Sequence, residues 1–238
     1  MNHNRNRQDD KFESSHVQVK DIRVLFENEF VVIFDKPSGL IVIPSPKNEA
    51  KTMVDEVNRQ FKVRTEQYKL HPCHRLDRET SGVIMFAKGK KYQQVMMDLF
   101  KKHEIVKKYI AFVHGRLKQA EGDIKGFISD VDQRKYNKQV QPKFAKSHFR
   151  VLQQKKAYSV IEVQPVTGRT NQIRIQFSQI GHPIVGDRKY SVVRRFALKF
   201  ERTALHAKSL EWIDPVTNKK IKVSSNLPKD MEVFCARN

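Results

Sequence analysis

The chain has 238 residues, with 46 Lys and Arg against 26 Asp and Glu, for a net charge of +20. A hydrophobic share of 39% with only 9 Gly and 9 Pro excludes a low-complexity polymer. Two cysteines exclude a disulfide scaffold and favour a reducing compartment, and no apolar run exceeds five residues, far short of a membrane span.

The positive excess is distributed, not confined to a tail: seven basic against two acidic residues over 88–108, eleven against four over 115–157, and ten against four over 186–222. A folded domain so charged is expected to bind a polyanion, with nucleic acid the better match; the plain alternative is a basic surface kept for solubility. At this length one domain can build a self-sufficient core.

Residues 1–21 are polar and aperiodic, with no leader-like apolar stretch, and read as a flexible tail before a single domain over 22–238. A soluble, cytoplasmic protein is expected. "IRVLFEN" and "FVVIFDK" read as strands, "KPSG" as a turn in which Pro37 fixes φ and Gly39 tolerates positive φ, and "LIVIP" as a further short strand. "VIMFA" (83–87) is apolar throughout, as in a strand buried on both faces. Over 90–103 the period changes: Tyr92, Val95, Met96, Leu99 and Phe100 form one helical stripe, with Lys90, Lys91, Lys101 and Lys102 opposite. "VKKYIAFVHG" alternates as a strand, with Tyr109, Ala111 and Val113 on one face.

Residues 115–157 offer few apolar anchors and read as a loop-rich excursion with short strands. "YSVIEVQP" is a strand stopped by Pro165. "TGRTNQIRIQFSQIG" turns at Gly168 into a helix with Ile173, Phe177 and Ile180 on one face, ending at Gly181. "ALHAKSLEWI" and "KKIKVSS" are strands around the turn "DPVTN". No repeat and no compositional break marks a second domain, so an α/β domain is the simplest account.

The densest chemistry is "HPCHRLDRETSG" (71–82). In extended backbone His71 and Cys73 share a side and His74 faces away, and no partner pair of ligands occurs elsewhere, so a zinc site is not expected. Gly89-Lys90 lacks the spacing of a phosphate loop, and neither Ser81 nor Cys73 sits in a nucleophile signature. Asp77 remains, between Arg75 and Arg78. It is either a turn-capping, arginine-paired carboxylate or a reactive one, and spacing alone does not choose.

The whole string "HRLDRETSGVIMFAK" closely resembles the HRLDxxTSG motif of the RluA-type pseudouridine synthases. The resemblance continues in order through "VLFENEFVVIFDKPSGLIV", "YIAFVHG", "PKFAKSHFRVL", "TGRTNQIRIQFSQIGHPIVGDRKY" and "RTALHAKSLEWIDPVT", covering roughly 22 to 234. It implies an α+β catalytic domain built on a large mixed, mostly antiparallel sheet flanked by helices and loops, with an RNA-binding cleft across the sheet. It implies an isomerase that breaks the N1–C1′ bond of a uridine and rejoins the uracil through C5, needing no cofactor and no metal.

On the matching positions, Asp77 is the implied essential carboxylate, with Tyr109 and Arg174 completing the catalytic set. Desolvation in a closed pocket raises a carboxylate by up to about 3–5 pKa units and a nearby arginine lowers it by about 1–3, so Arg174 would offset much of the cost of burial. Leu205 would pack near the base, and Arg75 would fill the space vacated by an everted nucleotide, or else contact a phosphate. His74, Arg78 and Lys36 are further candidate substrate contacts. Asn171 and Gln176 stand where the family commonly has His, Asp35 where it often has Asn, and Ser147 where Thr is common.

No separate RNA-binding domain fits in 1–21, so the basic 115–157 stretch is the candidate recognition element. The partner is expected to be tRNA or rRNA and the protein a monomer. The competing reading is a non-catalytic RNA-binding or ribosome-assembly protein that retains the fold, which the charge alone would equally permit.

Overall fold

The computed structural model describes residues 21–44, 51–62, 67–129, 141–191 and 198–238. Ten strands form one sheet. Five come from the first half of the fold: β1 (Val24–Glu27), β2 (Val31–Lys36), β3 (Leu70–Pro72), β4 (Ser81–Lys88) and β5 (Val106–His114). The rest are β6 (Glu121–Ile128), β7 (Lys143–Gln154), β8 (Tyr158–Pro165), β9 (Leu205–Ile213) and β10 (Lys220–Ser224). The helices are α1 (Met53–Lys62), α2 (Lys90–Lys101), α3 (Gln172–Gln179) and α4 (Lys229–Arg237).

The order across the sheet is β1-β2-β4-β9-β5-β8-β7-β6, with β3 added to β4 and β10 to β9. Every pairing is antiparallel except β4 with β9, a short parallel contact of Ser81 with His206 and Gly82 with Ala207. The expected mixed, mostly antiparallel sheet is therefore present. Among the described residues no helix is long and apolar enough to cross a membrane.

Unbroken apolar runs in the central strands follow from helices on both faces. Val32, Phe34, Ile84 and Phe86 pack with Met53, Val57 and Phe61 of α1. Their alternates Val31, Ile33, Val83 and Met85 pack instead with Met96 of α2. Further along the sheet Phe177 of α3 meets Phe149, whereas Phe234 of α4 meets Phe112 and Tyr158.

Several expectations need correction. Residues 40–44 are not a strand; Ile41 and Val42 accept through their carbonyls from the amides of Met53 and Val54, so this segment anchors the start of α1. Residues 130–140 of the 115–157 stretch lie outside the described residues, and its described part is mostly strand, with β6 and β7 paired over eight residues as a hairpin. Only one of its faces is covered, so its alternation is hidden among lysines and serines. Val95 and Ile180 were placed on buried stripes but are exposed, each at the rim of its helix. Sequence reading missed α1, β3 and α4. The proposed N-terminal tail lies, but for Asp21, outside the described residues.

Candidate active site

The segment between β3 and β4 carries Asp77, and its shape is fixed from below. The buried Lys36 Nζ donates to the carbonyl oxygens of Pro37, Leu40 and Arg78 at 2.9, 2.7 and 3.0 Å. Gly39, at φ 89°, donates its amide to the Arg78 carbonyl, and Arg78 Nε returns a bond to the Gly39 carbonyl. The "KPSG" turn and the aspartate loop are thus clamped together. Burial drives Lys36 down to about 7, with Asp77 opposing the shift. Lys36 and Arg78, candidates for substrate contact, line no part of the cleft; both shape the loop that presents Asp77.

On the other side Arg202 performs the same service. Its Nη1 donates to the carbonyls of Glu79, Thr203 and Leu205, and its Nε and Nη2 hold both oxygens of Asp230 at the start of α4. The Glu79 carboxylate accepts from the Thr203 amide and hydroxyl. Asp77 and Leu205 are therefore brought together by a network that no motif reading had singled out.

The chemistry converges in a cleft of about 610 Å³, lined by Arg75, Asp77, Tyr109, Arg174 and Leu205 among others. Arg174 Nη1 lies 3.3 Å from Asp77 Oδ2 across 97 positions of sequence. The same guanidinium forks onto Asp187, Nε to Oδ2 at 2.7 Å and Nη2 to Oδ1 at 3.0 Å, and its Nη1 also reaches Asn171 Oδ1 at 3.0 Å. It sits 5.0 Å from the Tyr190 ring centroid, and Tyr190 accepts from Asn171 Nδ2.

The Asp187 side chain is 1% exposed, against 25% for Asp77, so the two carboxylates differ in role. Asp187 is buried, and Arg174 holds it below the usual carboxylate range, helped by the backbone amides of Tyr190 and Lys189. Asp77 faces the cleft. Arg174 is raised by Asp187 and then Asp77, although its burial opposes this; it stays charged at every working pH. Burial, with Asp77 beside it, pushes the Tyr109 phenol above its ordinary value, so the hydroxyl is neutral and keeps its proton to donate.

His74 also lines the cleft, but its Nε2 accepts from the Met85 amide at 3.1 Å and its ring lies 4.6 Å from that of Phe100. Burial and then Lys107 push it down to about 3, so it is a neutral wall. Arg75 is exposed and lines the cleft. Lys107, Arg169 and Asp187 were not anticipated. Lys107 shares the face of Tyr109 two residues on, a signal legible from strand alternation. Asp187 gave no signal beyond its place after Gly186 in "VGDRKY".

The model of a family described as RNA pseudouridylate synthase matches residues 30–179. The chain belongs to this family. Its reaction class is accordingly isomerisation, and its substrate is RNA, as the motifs implied. The uncharacterized RNA pseudouridine synthase YlyB of Bacillus subtilis (strain 168) is 31% identical over 219 residues, covering 89% of this chain and 71% of that protein. The tRNA pseudouridine synthase C of Haemophilus ducreyi (strain 35000HP / ATCC 700724) is 28% identical over 239 residues, covering 90% and 94%. The solved structure of human RNA pseudouridylate synthase domain containing 4 superposes with a TM-score of 0.73 at 24% identity, over 90% of this chain and 92% of that one, and shares the fold.

Proposed function

We propose that the chain converts a specific uridine of structured tRNA or rRNA to pseudouridine in this cleft, with Asp77 as the essential carboxylate. The N1–C1′ bond breaks, the uracil turns while held, and C5 bonds to C1′; the C5 proton is lost and N1 gains one, so composition is unchanged. The Asp77 carboxylate starts the reaction as nucleophile or base. Arg174, locked by Asp187, fixes the position of that carboxylate. Tyr109 stacks on the uracil and exchanges a proton with sugar or base, Leu205 packs against the base, and Arg75 fills the space left in the RNA. The reading further has the protein act as a monomer in the cytoplasm.

The observation that carries this reading is the approach of Asp77 to Arg174 at 3.3 Å inside a cleft that also holds Tyr109. The purified protein is expected to form pseudouridine in total RNA from cells lacking its gene. RNA that binds but gains none would leave the non-catalytic alternative standing.

A further inference from the structure

The β6–β7 hairpin has an outer face that the described residues leave uncovered. Directly opposed pairs along it are Phe127 with Phe144, Lys125 with Lys146, and Asp123 with His148. Alternation puts these rungs on one side, while Ala145, Ser147 and Phe149 are buried on the other. The two phenylalanines are 66% and 46% exposed, with ring centroids 5.9 Å apart at 72°. A cross-strand aromatic pair steadies a hairpin only modestly, and rings this exposed remain available to a partner.

The neighbouring rungs fix the chemistry of what covers them. Lys125 and Lys146 share one carboxylate, Asp123, at 3.4 and 3.1 Å, and His148 takes its other oxygen at 3.0 Å. One negative charge against two ammonium groups leaves the face positive. The ring of Phe144 points to the face of the sheet opposite the cleft, but its backbone adjoins the cleft wall: Arg169, which lines the cleft, donates from Nε to the Phe144 carbonyl at 3.2 Å. β6 is the last strand of the sheet, so a strand of RNA leaving the cleft can pass round this edge.

We propose that the Phe127–Phe144 rung stacks an unpaired base of the RNA outside the target nucleotide, with Lys125 and Lys146 holding the adjoining phosphates. Flat apolar rings beside surplus positive charge suit a flat base on a charged strand, and every base presents such a face. An unpaired base is required because only an unstacked one offers its ring to a side chain. This rests on the RNA-isomerase reading and deepens it: the hairpin would select single-stranded sequence that leaves the cleft and passes round the β6 edge of the sheet.

The test uses the full chain with a short single-stranded oligouridine RNA and a blunt RNA duplex of equal length as probes. Phe127→Ala/Phe144→Ala is expected to weaken single-strand binding by about 5- to 100-fold with its salt slope unchanged, and duplex binding much less. Phe127→Tyr/Phe144→Tyr should restore the affinity, and the alanine pair should keep the parent's circular-dichroism spectrum and cooperative unfolding, which a merely structural loss would disturb. Lys125→Gln/Lys146→Gln should instead flatten the salt slope.

Equal losses on both probes, or no loss on either, would overturn the platform, as would a parent protein whose self-association the alanine pair abolishes. Pseudouridine formation by the parent is measured alongside. If the parent isomerises RNA but the alanine pair binds normally, the platform alone fails; if it binds through the platform but never isomerises, the catalytic reading alone fails.

Discussion

Arg174 stands between two carboxylates, one buried and one facing the cleft, and its position depends on the buried one. Removing one partner of a buried ion pair costs about 3–5 kcal/mol. Asp187→Ala should therefore lower the unfolding free energy by about 3 kcal/mol in a urea titration and also reduce isomerisation; an unshifted midpoint would contradict the anchoring role. The four departures from the family pattern also have local explanations. Asn171, at φ 53°, bridges Arg174 and Tyr190. Ser147 Oγ donates to Gln176 Oε1 at 2.6 Å and accepts from Gln172 Nε2, while Gln176 Nε2 reaches the Ile124 carbonyl. Asp35 accepts from Ser225. Ser147 and Gln176 depart together and bond to each other, tying the hairpin to α3. Asp77, Tyr109 and Arg174 were legible because their motifs are contiguous strings. Arg202 was not, because its partners Glu79 and Asp230 lie in other segments, and Asp187 was not, because only the folded chain turns it back onto Arg174 within the same string. Lys36 was legible as important, but spacing places it beside the aspartate loop without revealing that its three donors go to carbonyls.

The junction of β4 with β9 joins the two halves of the sheet immediately after the Asp77 loop. Gly82 has φ 106°, and a β-carbon there would lie 2.2 Å from the Ala207 carbonyl oxygen. Gly82→Ala should destabilise the protein by at least about 2 kcal/mol, combining backbone strain with the clash. A variant with parental thermal stability and activity would show that the two strands can part without consequence. Central strands were easy to read because both faces are buried and their apolar runs are unbroken. The hairpin was not, since Ile124, Ile128, Ala145 and Phe149 alternate with charged residues over a stretch dominated by lysine. α1 was missed for a similar reason: Met53, Val57 and Phe61 form its buried stripe, but four of its ten residues are charged. Val95, midway along α2, borders the buried Met96 but stays exposed at the margin of the stripe.

A charge of +20 on a molecule of this size predicts strong salt dependence of RNA binding. If about five phosphates are neutralised, log affinity falls against log salt with a slope near −4 to −5; a slope near zero would separate the positive surface from the RNA footprint. Three buried imidazoles set the response to acid. Burial pushes His74 to about 3 and both His114 and His206 to about 4, below the ordinary 6.5. Between about pH 4 and 6.5 the unfolded chain therefore binds more protons than the folded one, and stability rises with pH by up to about 1.4 kcal/mol per unit for each group. Urea midpoints measured across that window should fall as the pH is lowered; a flat profile would mean that these rings are charged in the folded protein. The central claim is narrower than any of these, namely that one carboxylate does the chemistry while the basic surface holds the RNA. It is tested most directly by assaying Asp77→Ala on an RNA that the parent modifies, scoring pseudouridine and affinity on the same sample. Pseudouridine is expected to vanish with affinity changed by no more than a few-fold, and a variant that still isomerises would contradict it.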